Sequence, residues 1–549
     1  MKNQIQSDTS FLMSNNVQIF ILTLLAFVLY ARTLDYKFVR FDDNILIVDN
    51  FKFISNPSNI FKAFNQDVFQ VSGCYSKQKN FYRPMLTVSF MLDAVIAGIS
   101  TKFFHFMNIL YHLIVCVLLL QFLKQLKINP LSSFFLSLLF GLHPIVTQAV
   151  AWIPGRNDSL LTIFVLASFI TLQLYSESKK RNKLLLHFLF FTCALFIKEN
   201  ALFVFPLAIF YRYFLLNLRS LKDNLQFIAG YVLIIILWLI MRHNALSGAE
   251  EIQNYSSYFN DFISGLPLYV QYISKSFIPY QLSVMSTVKD TNYIIGGIVI
   301  SAIVLLIYFS KTKHWNYILF GLLWFFVFLT PSLLSAFKGG LEHRVYLPLI
   351  GFIILLGRLH YFENLSIKQT RSVSILFAIT ILFFIITSAR LSAFSGSVAF
   401  WESAIETSEH SSLGNLNLGK TFEEEGNYNQ ALTLYLDGIN RDSTQYMLYN
   451  NLAGLYLTLG DTTKAMKALS KEIHNHPENP FPYIVLGSIY KNQKQLNTAV
   501  VYWKKSITTN AHADRSIYKE LCNYYKKNND SLQYNFYCKL MEKNFEETY

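Results

Sequence analysis

Charge is scarce in this chain. Asp, Glu, Lys and Arg together make up 15% of its 549 residues, while hydrophobic residues make up 53% and Phe alone numbers 50. A soluble protein of this length is not so apolar, and long apolar stretches mean membrane spans. Acidic residues are scarcer than basic ones, leaving a formal net charge of +13. A basic soluble protein would point to nucleic acid. Here Lys and Arg fall in short gaps between apolar stretches, as loop charges of a membrane protein do, and no nucleic-acid partner is expected. Cysteine is rare too, and the five residues show no metal-ligand spacing. Cys116 and Cys193 lie in apolar segments, where a small core residue belongs. Cys522 and Cys538 stand close together in the polar tail, where a disulfide requires that the tail lie outside the cytosol. No small-residue cleavage site follows the first apolar stretch, residues 17–34, so that stretch reads as a retained anchor.

Apolar segments recur through residue 390. They fall near 17–34, 103–123, 132–152, 159–175, 183–199, 201–217, 225–242, 292–310, 316–335, 345–360 and 373–390, an expectation of about eleven spans. The stretch from Leu266 to Tyr280 is amphipathic, carries Lys275, and is expected to lie at the membrane surface. Basic residues gather in alternate short loops: Lys124 and Lys127; Lys179, Lys180, Arg181 and Lys183; Arg219 and Lys222; Lys311 and Lys313; Arg358, Lys368 and Arg371. The positive-inside rule puts those loops in the cytoplasm. Loops 36–102 and 243–291 and everything after Arg390 then lie outside.

The tail, 391–549, is polar and periodic. Ala431, Ala465 and Ala499 stand 34 apart, the tetratricopeptide-repeat (TPR) period. Gly419 and Gly487 take the small-residue positions that let paired helices approach, with Tyr435 and Trp503 among the aromatics that fill the gaps. The expected fold is all-α: a polytopic helical domain over 1–390, a linker with a half-repeat over 391–410, and a TPR α-solenoid over 411–549. Such an array binds peptides or partners, or simply packs.

Polar residues converge at the outer ends of the spans, where an ionisable group is costly and suggests function. They are Asp42 and Asp43 after the first span, Arg83, His105, His143, Gln148, Arg156, Asn157, Asp158, Lys198, Glu199, Glu342, His343 and Arg344. Each has a structural reading: Arg and Lys snorkel to headgroups, Asp42 and Asp43 cap a helix or solvate a loop, and His105 and His143 satisfy local bonds. Independent snorkelling would not collect carboxylates, His and Arg on one face. Carboxylates can deprotonate a hydroxyl nucleophile, and Arg and Lys can hold a departing phosphate. A lipid-phosphate sugar donor suits such a site, as would a transported anion.

The stretches FDDNILIVDN, YRPMLTVSF, HPIVTQAVAWIPGRND, FIKEN, FIPYQLSV, EHRVYLP and the SAR…FWESAI junction resemble, in order and over nearly the whole chain, the transmembrane and tetratricopeptide-repeat-containing O-mannosyltransferase family and its bacterial relatives. The resemblance implies a GT-C membrane glycosyltransferase that uses a polyprenyl- or dolichyl-phosphate-linked sugar and inverts at the anomeric carbon. It implies Asp42 as base with Asp43 as partner, the two roles being exchangeable. Arg156, Lys198 and Arg344 are the candidates for the donor phosphate. Arg83 would hold the acidic loop by an ion pair, and His105, His143, Glu342 and His343 would support. Members of this fold divide on metal use; no metal ligand set is assigned, since two adjacent Asp with no further ligand pattern do not decide the matter. The TPR array is shorter than in animal members. Mannose is an analogy, and a protein Ser/Thr acceptor rests on the peptide-binding surface a TPR tail offers.

Two other functions stay open: transfer to a glycan or lipid with the tail recruiting partners, and a non-enzymatic membrane scaffold. Lys-, Asn- and Ile-rich usage suggests a bacterial inner membrane with the tail in the periplasm. The eukaryotic equivalent is the endoplasmic reticulum membrane with a lumenal tail.

Overall fold

A computed structural model describes residues 14–69, 81–218, 220–247, 255–334, 339–510 and 514–545. The chain divides into two compact units, Met1–Ser403 and Ala404–Tyr549, with the division inside helix Ser397–Thr407. Both are helical. The sole sheet among the described residues is a two-residue antiparallel pairing of Ser286 with Gly340 and Thr287 with Gly339.

Six described helices are long and apolar enough to cross a membrane: Asn15–Asp35, Thr101–Gln125, Ile153–Ser178, Asn224–Ala245, Trp315–Leu333 and Thr370–Phe394. They make this a membrane protein. A seventh forms if Pro130–Gly141 and Pro144–Ala151 count together, bent by 47°. Pro144 has no N–H to continue the first helix, and His143 caps the new turn by accepting from the Ile145 N–H at 3.1 Å. The expected eleven spans are therefore not reached by this measure. The remaining apolar segments are helical but short or broken: Arg181–Ile197, Val204–Phe210 continuing as a π turn, Tyr293–Phe309 and Tyr346–Gly357. Arg219, expected in a cytoplasmic loop, lies outside the described residues.

Helices Trp315–Leu333 and Tyr346–Gly357 meet at glycines. A Cβ on Gly321 would strike the Gly351 carbonyl, and one on Gly351 the Gly321 carbonyl. Small residues at this crossing let the backbones touch, as packing inside a bilayer requires. Helix Pro267–Phe277 departs from expectation. Its Lys275 is 3% exposed and paired with Glu342, so its polar face is buried in protein and does not lie among headgroups.

The second unit is a run of helix pairs: Leu413–Glu424 with Tyr428–Arg441, Leu448–Thr458 with Thr462–Asn475, Phe481–Asn492 with Leu496–Thr509, and Arg515–Lys527 with Ser531–Phe545. Ala431, Ala465 and Ala499 are fully buried. Gly419 lies against the Tyr435 ring and Gly487 against the Trp503 indole, each too close for a Cβ. The turn inside each pair needs a left-handed residue, supplied by Gly426, Gly460, Lys494 and Asn529 in succession. Cys522 and Cys538 join the last two helices in a disulfide, Cα atoms 6.0 Å apart.

Candidate functional site

Asp42 and Asp43 follow the 3-10 extension of the first helix and precede a π turn over Asn44–Val48. This short, irregular segment fixes the two carboxylates differently. Asp43 is 1% exposed, and its Oδ2 accepts from the Val39 N–H at 2.7 Å. Asp42 is half-buried. Burial pushes both above the ordinary carboxylate range. Asp42 rises to about 6, opposed by the charge of Arg83. Asp43 rises well above its usual value, opposed by the Val39 hydrogen bond and reinforced by the charge of Asp42.

Arg83 stands at the head of helix Pro84–Ala97. Its expected ion pair with the acidic loop is not made. The guanidinium instead grips Glu199 with two bonds, Nη2 to Oε1 at 2.6 Å and Nε to Oε2 at 3.2 Å, while its charge still reaches Asp42. Burial alone would raise the Glu199 carboxyl; Arg83 overcomes this and holds it down at about 2. Next to Glu199, Lys198 binds Asp158 through Nζ at 2.7 Å. Burial lowers the lysine, and Asp158 opposes the fall.

The segment Glu342–Val345 brings the other half of the site. His343 Nε2 stands 4.0 Å from Asp158 Oδ2, and its backbone N–H donates to Gln148 Oε1 at 3.1 Å. Burial, then the cations Lys198, Arg344 and Arg83, push this histidine well below its usual value, so it is neutral. Arg344 is partly exposed; its Nη1 donates to the Gly339 carbonyl at 3.2 Å, and no carboxylate pairs with it among the described residues. The electrostatic neighbours of Arg83 and Arg344 tie Asp42, Arg83, Asp158, Lys198, Glu199, His343 and Arg344 into one cluster.

Four of the expected residues stand apart from it. Arg156 is fully buried, with Nη1 on Asp93 Oδ2 at 2.5 Å, Nε on Asn108 Oδ1 at 2.8 Å and Nη2 on the Phe104 carbonyl at 2.8 Å, beneath the Phe90 ring. Fully buried and tied to Asp93, Asn108 and the Phe104 carbonyl, this guanidinium is not presented to a donor phosphate, and that role is not carried forward for Arg156. Glu342 is likewise enclosed. Its Oε1 takes Lys275 at 3.1 Å and the Ser283 N–H at 2.7 Å, and its Oε2 takes Arg390 at 2.5 Å. His143 is a cap, its Nε2 against the Ser276 carbonyl at 3.0 Å. His105 packs edge-on against Tyr36. Asp93 and Arg390 were not singled out from sequence. Asp93 is the one charge in an apolar helix of 14 residues, which was a signal; Arg390 sits at a span end, where snorkelling masks it. No group of three His, Cys, Asp or Glu suited to a metal occurs among the described residues.

A tetratricopeptide repeat matches residues 448–471. A protein O-mannosyl-transferase of Caenorhabditis elegans is 26% identical over 446 residues, covering 77% of this chain and 62% of the relative. The chain is thus similar in sequence to a protein O-mannosyl-transferase over most of its own length. The human TMTC1 protein O-mannosyl-transferase is 29% identical over 209 residues, 36% of this chain and 23% of its own length. Human TMTC3 is 34% identical over 140 residues, 25% and 15% of the two lengths. The chain thus spans under two thirds of the length of these relatives. Among solved structures, that of MamA covers 34% of this chain and 97% of its own, at 16% identity and a TM-score of 0.24.

Proposed function

We propose that this protein transfers a sugar, mannose by analogy with its relatives, from a polyprenyl- or dolichyl-phosphate donor to a hydroxyl of a protein Ser or Thr, at the outer face of its membrane. One observation carries the reading: a half-buried carboxylate, Asp42, shares a cluster with three cations, of which Arg344 makes no salt bridge among the described residues. A base and an anion site side by side are what hydroxyl attack on a phosphate-activated carbon requires.

The two acids divide the work. Asp42, pushed up to about 6, is largely ionised at neutral pH; Asp43 is held well above its usual range by burial, and its Oδ2 is already taken up by the Val39 N–H. Asp42 is therefore the base, and Asp43 fixes the loop through Val39. The acceptor O–H gives its proton to Asp42 as the oxygen attacks C1 from the face opposite the phosphate. The bond from C1 to the phosphate oxygen breaks, inverting that carbon, and the lipid phosphate leaves with the electron pair toward Arg344 and Lys198. Asp158 restrains Lys198, and Glu199 restrains Arg83. The TPR tail offers a surface for the protein acceptor.

The test is transfer from a panel of polyprenyl-phosphate sugars, read by mass spectrometry, with Asp42→Asn beside the parent. Turnover of one donor by the parent alone supports the reading; equal turnover by the folded variant overturns it.

A further inference from the structure

Several buried polar atoms near Asp42 have no hydrogen-bond partner among the described residues: Asp43 Oδ1, Trp152 Nε1, Asp158 Oδ2 and His343 Nδ1. Leaving one such atom unpaired is costly, and folded proteins do it sparingly. Here four fall around one place. The Trp152 indole lies beside Asp43 without reaching hydrogen-bond geometry. Its ring packs against His343 at 5.5 Å between centroids, and His343 Nε2 is 4.0 Å from Asp158 Oδ2. Phe41, next to Asp42, stacks on Trp152 at 6.2 Å.

The mixture narrows the ligand. The Asp158 carboxylate repels a bare anion, and an indole N–H repels a cation. A hydroxyl both donates and accepts, so a polyol can satisfy all four atoms at once. The other oxygen of Asp158, Oδ1, holds Lys198, one of the phosphate cations.

We infer that Asp43, Trp152, Asp158 and His343 form the hydroxyl-recognition set for the sugar of the lipid-phosphate donor. This rests on the transfer reading above and names the subsite within it. Asp158 is its hinge: one oxygen holds the lysine that faces the phosphate, and the other faces the sugar. Trp152 and His343 then set which sugar is accepted.

The test uses the full chain in detergent and two variants, Trp152→Phe and His343→Phe, which keep an aromatic ring and remove the polar nitrogens. Binding of bare polyprenyl phosphate is compared with polyprenyl phosphate carrying mannose, glucose or N-acetylglucosamine. The parent is expected to prefer one sugar-bearing lipid over the bare one by roughly ten-fold or more, and each variant to lose about ten-fold of that preference. The preference is read as the ratio of the two affinities, so a loss shared by the bare and the sugar-bearing lipid does not count. An unaltered preference in both folded variants, or none in the parent for any sugar, overturns the inference and leaves the four atoms to ordered water. The two readings separate cleanly. Transfer by a parent whose variants keep their preference sinks only the subsite. A preference lost in the variants, with no transfer by the parent to any hydroxyl, upholds the subsite and sinks transfer.

Discussion

At the scale of single residues, Asp42 and Asp43 are neighbours with opposite prospects. Asp42→Asn removes the proposed base and is expected to cut transfer by about 10²–10⁴-fold while the protein stays folded. The parent should show kcat/KM falling roughly ten-fold per pH unit below about 6, since the base works only when ionised and protonation removes it. A flat profile between pH 5 and 7 would assign the proton to another group. Arg344 and Arg156 make the matching pair among cations. Arg344→Met should lower transfer about 10²-fold and leave the melting temperature nearly alone. Asp93→Asn, which leaves Arg156 buried without its carboxylate, should destabilise the fold by about 3–5 kcal/mol, seen as a lower melt and poor yield. Sequence showed that both arginines stand near span ends but not their commitments. Arg156 is claimed by Asp93 from 63 positions away, a pairing that only the packing of three helices creates.

Elements were legible where apolar length was ample and less so where it was not. The first helix and Thr101–Gln125 match expectation closely, whereas Arg181–Ile197 and Tyr346–Gly357 are too short to be called spans by length alone. Pro84–Ala97 falls within the expected outer loop 36–102, because its helical run is brief and follows the polar YRP. The repeat period located the paired helices of the tail, yet not the strain within them. Lys494 occupies the left-handed position that Gly426 and Gly460 fill in the preceding pairs. A side chain there costs about 1–2 kcal/mol, part of which a glycine returns as lost chain entropy. Lys494→Gly is expected to stabilise the tail by up to about 1 kcal/mol; a lower melting temperature would refute the strain.

For the whole molecule, the two units carry separable duties in the proposed function. Removing residues after about 410 should leave the binding of a lipid-phosphate sugar intact and abolish transfer to a protein substrate. Loss of donor binding in a well-folded truncation would tie the tail to the first unit's chemistry. The bridge between Cys522 and Cys538 bears on where such a molecule can mature. Thiols stay reduced in most cytosols and pair in the periplasm or the secretory lumen. In the proposed topology the closing helices of the tail carry a chemical stamp of passage: protein whose tail has been exported should resist alkylation at both positions until reductant is added, while chains still held on the cytosolic side should be labelled at once. Counting labelled against protected tails in a cell extract would then give the fraction of molecules whose outer half has been delivered, a gauge of membrane insertion that needs no knowledge of the sugar at all.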